Sequence, residues 1–170
     1  YDSLILGFFA PVVWRCPPSR LVEEYRRQLG HRHLDVGPGT GYFLVRAGIP
    51  DRRPVTLLDP NLNVLEYASR RLQRLDVTSI EADVCKPLPV HGPFDSAALN
   101  GVLHCLPGPL PRKAAAIANV AAVLAPTGVL FGAWHGLIVA LPVLAGFGVV
   151  LAWLRYRTGS VYPPILLHGI

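Results

Sequence analysis

The chain of 170 residues has room for one core and an appendage, and it is apolar: 51% hydrophobic, mean hydropathy +0.37, and without methionine, so Tyr1 reads as the start of a fragment or processed product. The formal charge of +5 is unevenly spread, since all 11 acidic residues lie between Asp2 and Asp95, and the arginines fall on predicted helix faces without interleaved aromatics, which argues against a nucleic-acid partner. Three cysteines (Cys16, Cys85, Cys105) with no C-x-x-C pair argue against a disulfide framework or a zinc site and fit a reducing cytoplasm.

The opening ILGFFAPVVW is apolar but lacks the basic flank and small-residue cleavage site of a signal peptide. Residues 18–29, PSRLVEEYRRQL, place Leu21, Tyr25 and Leu29 at four-residue spacing behind Ser19, which predicts a capped amphipathic helix. Four short apolar runs follow, each closing on an acid or an amide: HLDVG, VTLLD, VTSIEAD and FDSAALN. Such runs predict parallel strands buried on both faces. NLNVLEYASRRLQRL (61–75) and PRKAAAIANVAAVL (111–124) predict helices, and the alternation predicts an α/β fold with a doubly wound sheet.

Asp35, Asp59 and Asp83 recur at intervals of 24 residues, which predicts equivalent positions at three strand ends, on the edge where open α/β sheets bind ligands. A helix cap or a turn accounts for any one of these acids; it accounts less well for three in register. Gly37-Pro-Gly39-Thr-Gly41 follows the first strand, so the backbone can turn tightly against a ligand there. The pattern is G-x-G-x-G, with Tyr42 where nicotinamide and flavin binders repeat the glycine.

In order, LDVGPGTGYF, LLDPN, EADV, FDSAALNGVLHCL and AAVLAPTGVLFGA resemble the motifs of class I S-adenosylmethionine-dependent methyltransferases, over residues 15–133. The resemblance implies a Rossmann-like sheet with S-adenosyl-L-methionine as cofactor. Gly37, Gly39 and Gly41 would line its methionine portion, with Asp35 near the amino group. Asp59 would accept from the ribose hydroxyls, Asp83 would receive the adenine amino group with the Val84 backbone beside it, and Pro60 would pack on the ring. Asn100 and Gly101 would stand where the fourth strand meets the sulfonium and the acceptor. Methyl transfer is an in-line displacement, so alignment supplies most of the catalysis and neither nucleophile nor metal is required. Where the acceptor has a proton to lose, His104 is the candidate base; its other reading is a packed histidine. Amide- and base-methylating branches carry Asn or Asp, two prolines and an aromatic at this motif. NGVL here favours a small-molecule acceptor.

From Val129 to Leu154 no Asp, Glu, Lys or Arg occurs, and Arg155 and Arg157 follow. That length fits a membrane helix through residues 134–154 with its arginine end in the cytoplasm; the alternative is a fifth strand at 129–133 followed by a buried hairpin or helix. Nothing in 134–170 reads as the helix and antiparallel strand pair that close a methyltransferase sheet. The expected organisation is therefore a sheet unit over 1–133, without those strands, and an apolar helical tail over 134–170. FGAWH (131–135) and LRYRTGSVYPPILLHGI (154–170), with His168, resemble the end of the CAAX-protease and bacteriocin-processing family of intramembrane proteases, whose Glu-Glu motif has no counterpart in a membrane helix upstream. A truncated protease of that kind, or an inactive chimera joined at VLFGA, is the alternative to a methyltransferase.

Overall fold

The apolar runs pair as one parallel sheet. Its strands are β1 (His33–Val36), β2 (Pro54–Asp59), β3 (Asp76–Glu81), β4 (Phe94–Ala98) and β5 (Leu124–Phe131), in the spatial order β3-β2-β1-β4-β5. This computed structural model describes residues 17–132 together with Trp153, Tyr156 and Arg157; apart from Trp153, the membrane segment expected at 134–154 lies outside the described residues. The helices are α1 (Pro18–Gln28), α2 (Tyr42–Arg46), α3 (Leu62–Arg71), α4 (Val102–Cys105) and α5 (Leu110–Ala121). All strand pairs among the described residues are parallel.

The sheet divides the core into two layers. On one face Tyr25 of α1, Leu44 of α2 and Leu65, Ala68 and Leu72 of the α3 region pack on Leu57 and Ala98. On the other, Ala116 and Val120 of α5 pack on Leu34, Val36, Leu58 and Ala97. Alternate residues of one strand point to opposite faces, which is why neighbours such as Leu57 and Leu58 serve different layers, both fully buried. Each such leucine contributes about 1.5–3 kcal/mol on leaving water.

Three expectations are corrected. β3 is not buried on both faces: it lies at the sheet edge and each of its residues is exposed or half-buried. Ser19 does not cap α1. Pro17 holds the cap position without a side-chain bond, and Pro18 begins the helix, where its missing N–H costs nothing. The fifth strand, expected at 129–133, runs from Leu124 to Phe131, so Pro126-Thr127-Gly128 lies within it. Leu124 is opposite Phe94 and Val129 is opposite Ser96, so residues 125–128 form an irregular bulge inside the longer strand.

Gly128 makes that bulge fit. A Cβ on it would lie 2.9 Å from both the Ala125 and Phe94 carbonyl oxygens, and neither is free to move away. Gly128→Ala is expected to cost about 1–3 kcal/mol of stability, read as a lower urea midpoint with an unchanged slope.

Candidate functional site

β1 runs directly into the glycine turn. The Gly37 N–H donates to the Leu58 carbonyl at 2.8 Å, extending the ladder one residue past the strand, and Gly37 and Gly39 then adopt φ values of +64° and +54°. The two glycines face different surroundings: a Cβ on Gly37 would collide with the Val102 side chain, whereas one on Gly39 would meet no atom within 4 Å. Gly41, buried, caps α2, and the Arg71 guanidinium holds the Thr40 carbonyl at 3.0 Å. Asn100 and Gly101 begin the loop after β4, the strand beside β1, and Val102 closes the gap between the two loops.

The three acids are not level. Asp35 pairs with Leu57 and Asp59 pairs with Glu81, so each acid lies two residues beyond the register position of the one before. Asp35 is inside β1, Asp59 ends β2, and Asp83 is two residues past β3. Equal spacing in sequence is therefore not equal height in the sheet.

Their environments differ accordingly. Asp35 is 3% exposed, and the Tyr25 hydroxyl donates to its two oxygens at 3.2 and 3.1 Å. Burial raises its carboxyl to about 7, and the bond from Tyr25 opposes that rise. Asp59 is half-buried; its Oδ1 accepts from the Asn61 N–H at 2.8 Å, and burial again raises the carboxyl while that bond lowers it. Asp83 Oδ1 accepts from the Cys85 N–H at 2.9 Å, and Oδ2 meets Arg112 at 3.4 Å. The Cys85 N–H is the main reason that Asp83 sits below the usual carboxylate range, with Arg112 and Lys86 adding to it.

Both polar atoms of the Asn100 carboxamide are enclosed without a hydrogen bond of standard geometry, although the group is close enough to the Tyr25 hydroxyl to act on its acidity. The carboxamide lies over Gly132, whose φ of +78° and missing side chain leave room for it. Pro60 is exposed. Val84 is buried in the α5-side core, and its carbonyl accepts from Asn119 Nδ2 at 2.9 Å. His104 belongs to the one-turn helix α4, not to a loop, and its side chain lies outside the described residues.

The site contains groups that periodicity did not single out. Tyr25 reads in the sequence as one apolar position of a helix face, yet a buried tyrosine needs a partner for its hydroxyl, and the adjacent acid-bearing strand supplies one. His33 is fully buried two residues before Asp35, its Nδ1 lies 2.8 Å from Ser96 Oγ, and its Nε2 has no partner. Burial lowers its imidazole to about 3.

A family profile described as a methyltransferase domain matches residues 34–132, more than half of the chain. The chain belongs to that methyltransferase family. It is 41% identical over 135 residues to demethylluteothin O-methyltransferase of Streptomyces thioluteus, covering 78% of this chain and 59% of that one. It is 38% identical over 136 residues to the physcion biosynthesis cluster O-methyltransferase of Aspergillus chevalieri, covering 78% and 61%. The chain thus spans less than two thirds of these relatives. Among solved structures, an N-methyltransferase of Bradyrhizobium japonicum in complex with S-adenosyl-L-homocysteine has a TM-score of 0.57 at 22% identity, covering 66% of this chain and 59% of that one. An amino pentose methyltransferase of Micromonospora echinaspora, S-adenosylmethionine-bound, has a TM-score of 0.52 at 28% identity, covering 66% and 47%. Both fit the parallel Rossmann-like sheet.

A second profile, for type II CAAX prenyl endopeptidases, matches residues 98–170, under half of the chain. Its described part, 98–132, is the end of β4, then α4, α5 and β5 of the methyltransferase sheet, and no helix among the described residues is long and apolar enough to cross a membrane.

Asp35 and His33 pull stability in opposite directions. Asp35 titrates near 7 when folded against 3.8 for an ordinary side chain, so its contribution falls as pH rises from about 4 to 7. His33 titrates near 3 against 6.5, so its contribution falls as pH drops from 6.5 towards 3. Between about pH 4 and 6.5 the folded state holds one extra proton and refuses another, and the two slopes cancel. His33→Phe removes one of them. Relative to wild type, this variant should gain about 1.4 kcal/mol for each unit that pH is lowered below about 6.5, as measured by urea unfolding in a pH series.

Proposed function

We propose that this chain forms the cofactor-binding sheet of an S-adenosylmethionine-dependent methyltransferase acting on a small-molecule acceptor. The observation that carries the proposal is the arrangement at β1 and β4. The chain winds outward from β1 through β2 to β3 on one side and from β4 to β5 on the other, so the glycine turn and Asn100-Gly101 flank the topological switch point. Crevices at such points are where open α/β sheets take their ligands.

The residues present fit the cofactor. Gly39 leaves open space where any side chain would stand, Asn100 has an enclosed carboxamide without a partner, and Asp59 ends its strand half-buried. In this reading Gly37, Gly39 and Gly41 hold the methionine portion, with Asp35 towards its amino group. Asp59 takes the ribose hydroxyls, and exposed Pro60 packs on the adenine. Asp83 takes the adenine amino group, with the Val84 backbone beside it; the Asp83 contact to Arg112 is long and largely solvated, so releasing it costs little. The cofactor supplies a methyl group on a cationic sulfur. Asn100 aligns the acceptor, and His104 accepts a proton where the acceptor has one to lose. The two curated relatives are O-methyltransferases named for demethylluteothin and for a physcion biosynthesis cluster, which supports an acceptor of small-molecule size.

The match of residues 98–170 to the endopeptidase profile supports a second reading for the tail, attachment to a membrane through residues 134–154. Full-length chain is then expected in the membrane fraction, released only by detergent; recovery in the aqueous fraction would refute the attachment.

Asp59→Ala is expected to weaken S-adenosylhomocysteine binding by about 1.5–3 kcal/mol in calorimetry, the scale for losing bonds to a charged group. Unchanged affinity would overturn the ribose assignment.

A further inference from the structure

Tyr25 lies on the first helix, before residue 34 where the methyltransferase profile begins, yet it meets the site through Asp35. Its ring is stacked on Phe43 of α2, 5.6 Å between centroids, and set edge-on against Phe131 of β5 at 5.0 Å. The hydroxyl is thereby fixed in place, within reach of both Asp35 oxygens.

We propose that Tyr25 is a positioning residue for cofactor binding: its hydroxyl orients the Asp35 carboxylate just below the Gly37 turn and favours the ionised form that can receive a positively charged amino group. This rests on the proposed cofactor site. A buried carboxyl without a donor is held neutral, and a neutral carboxyl offers a cation little. Tyr25 supplies that donor without adding a charge. Burial first, and then the Asp35 charge, make the phenol harder to ionise; the other groups facing the pair are Glu24 on α1, whose charge adds least to that, His33 on β1, ring to ring with Tyr25 at 5.8 Å, and Asn100 after β4. His33 turns Nδ1 to Ser96 Oγ and its Nε2 has no partner, so the phenol is the donor given to Asp35. Binding a cationic amino group requires Asp35 as the anion, and the displaced proton leaves to the buffer.

The test is calorimetric titration of S-adenosylhomocysteine into full-length wild type, Tyr25→Phe and Asp35→Asn between about pH 6 and pH 9. Phenylalanine keeps both ring contacts and removes only the hydroxyl. In wild type, affinity should rise with pH as Asp35 ionises. In Tyr25→Phe the rise should be displaced upward by about one pH unit, which means roughly tenfold weaker binding at the acid end and near-equal binding at the alkaline end. Asp35→Asn should bind weakly with no such rise. Identical profiles for Tyr25→Phe and wild type would overturn the proposal, as would a loss equal at every pH, which is what a purely structural role gives. A wild type that does not bind the ligand overturns the cofactor reading instead. In that case the carboxyl-carbon NMR titration of Asp35 still decides whether Tyr25 sets its ionisation: an upward shift in Tyr25→Phe is expected, and an unchanged one refutes it.

Discussion

β1 has a strand on each side and a helical layer on each face, so all four of its residues are buried whichever way they point. Two of the four are His33 and Asp35. A titratable side chain carried into such a place must either lose its charge or bring its own partner, and the structure does both: the imidazole gives up its proton, and the carboxyl meets the phenol of Tyr25. α1 delivers that phenol from the apolar layer it packs in, with Phe43 and Phe131 as the walls of the slot.

The α/β class, the four apolar strand runs and the glycine turn were legible because burial on both faces leaves an uninterrupted apolar signature and positive φ leaves glycine. β3 broke the rule at the edge: VTSIE has the β-branched composition of a strand, but no neighbour beyond it demands apolar side chains. The bulge in β5 was hidden because Pro-Thr-Gly reads as a turn wherever it stands, and only pairing with β4 shows that the strand passes through it. For the candidate site, the residue types were visible and their heights were not. Nor was Tyr25, since a helical period marks its ring as apolar and says nothing of where the hydroxyl ends.

The overlap of two family profiles at residues 98–132 has a physical side. This stretch is rich in Leu, Val and Ala with Gly and Pro between them, a composition that the layers of a sheet accept and that a bilayer accepts as well. Among the described residues the sheet has taken this segment: Phe131 closes the layer around Tyr25, and Leu130 packs in the other. Phe131-Gly132 is thus the end of the sheet's core and the start of FGAWH at once, and Gly132 is also the residue that makes room for Asn100.

The stepped heights of Asp35, Asp59 and Asp83 make strand register a ruler. Each pairing advances the acid by two residues, about 6.6 Å along the strand for every 4.8 Å across it, so the line from Asp35 to Asp59 runs obliquely to the strands instead of along their ends. Leucines and valines in the core fix that register, because a slip of one residue would turn each of them towards the wrong layer. The separation of the first two acids is therefore calibrated by side chains that touch neither, and a substitution deep between the sheet and α3 can detune the edge without coming near it.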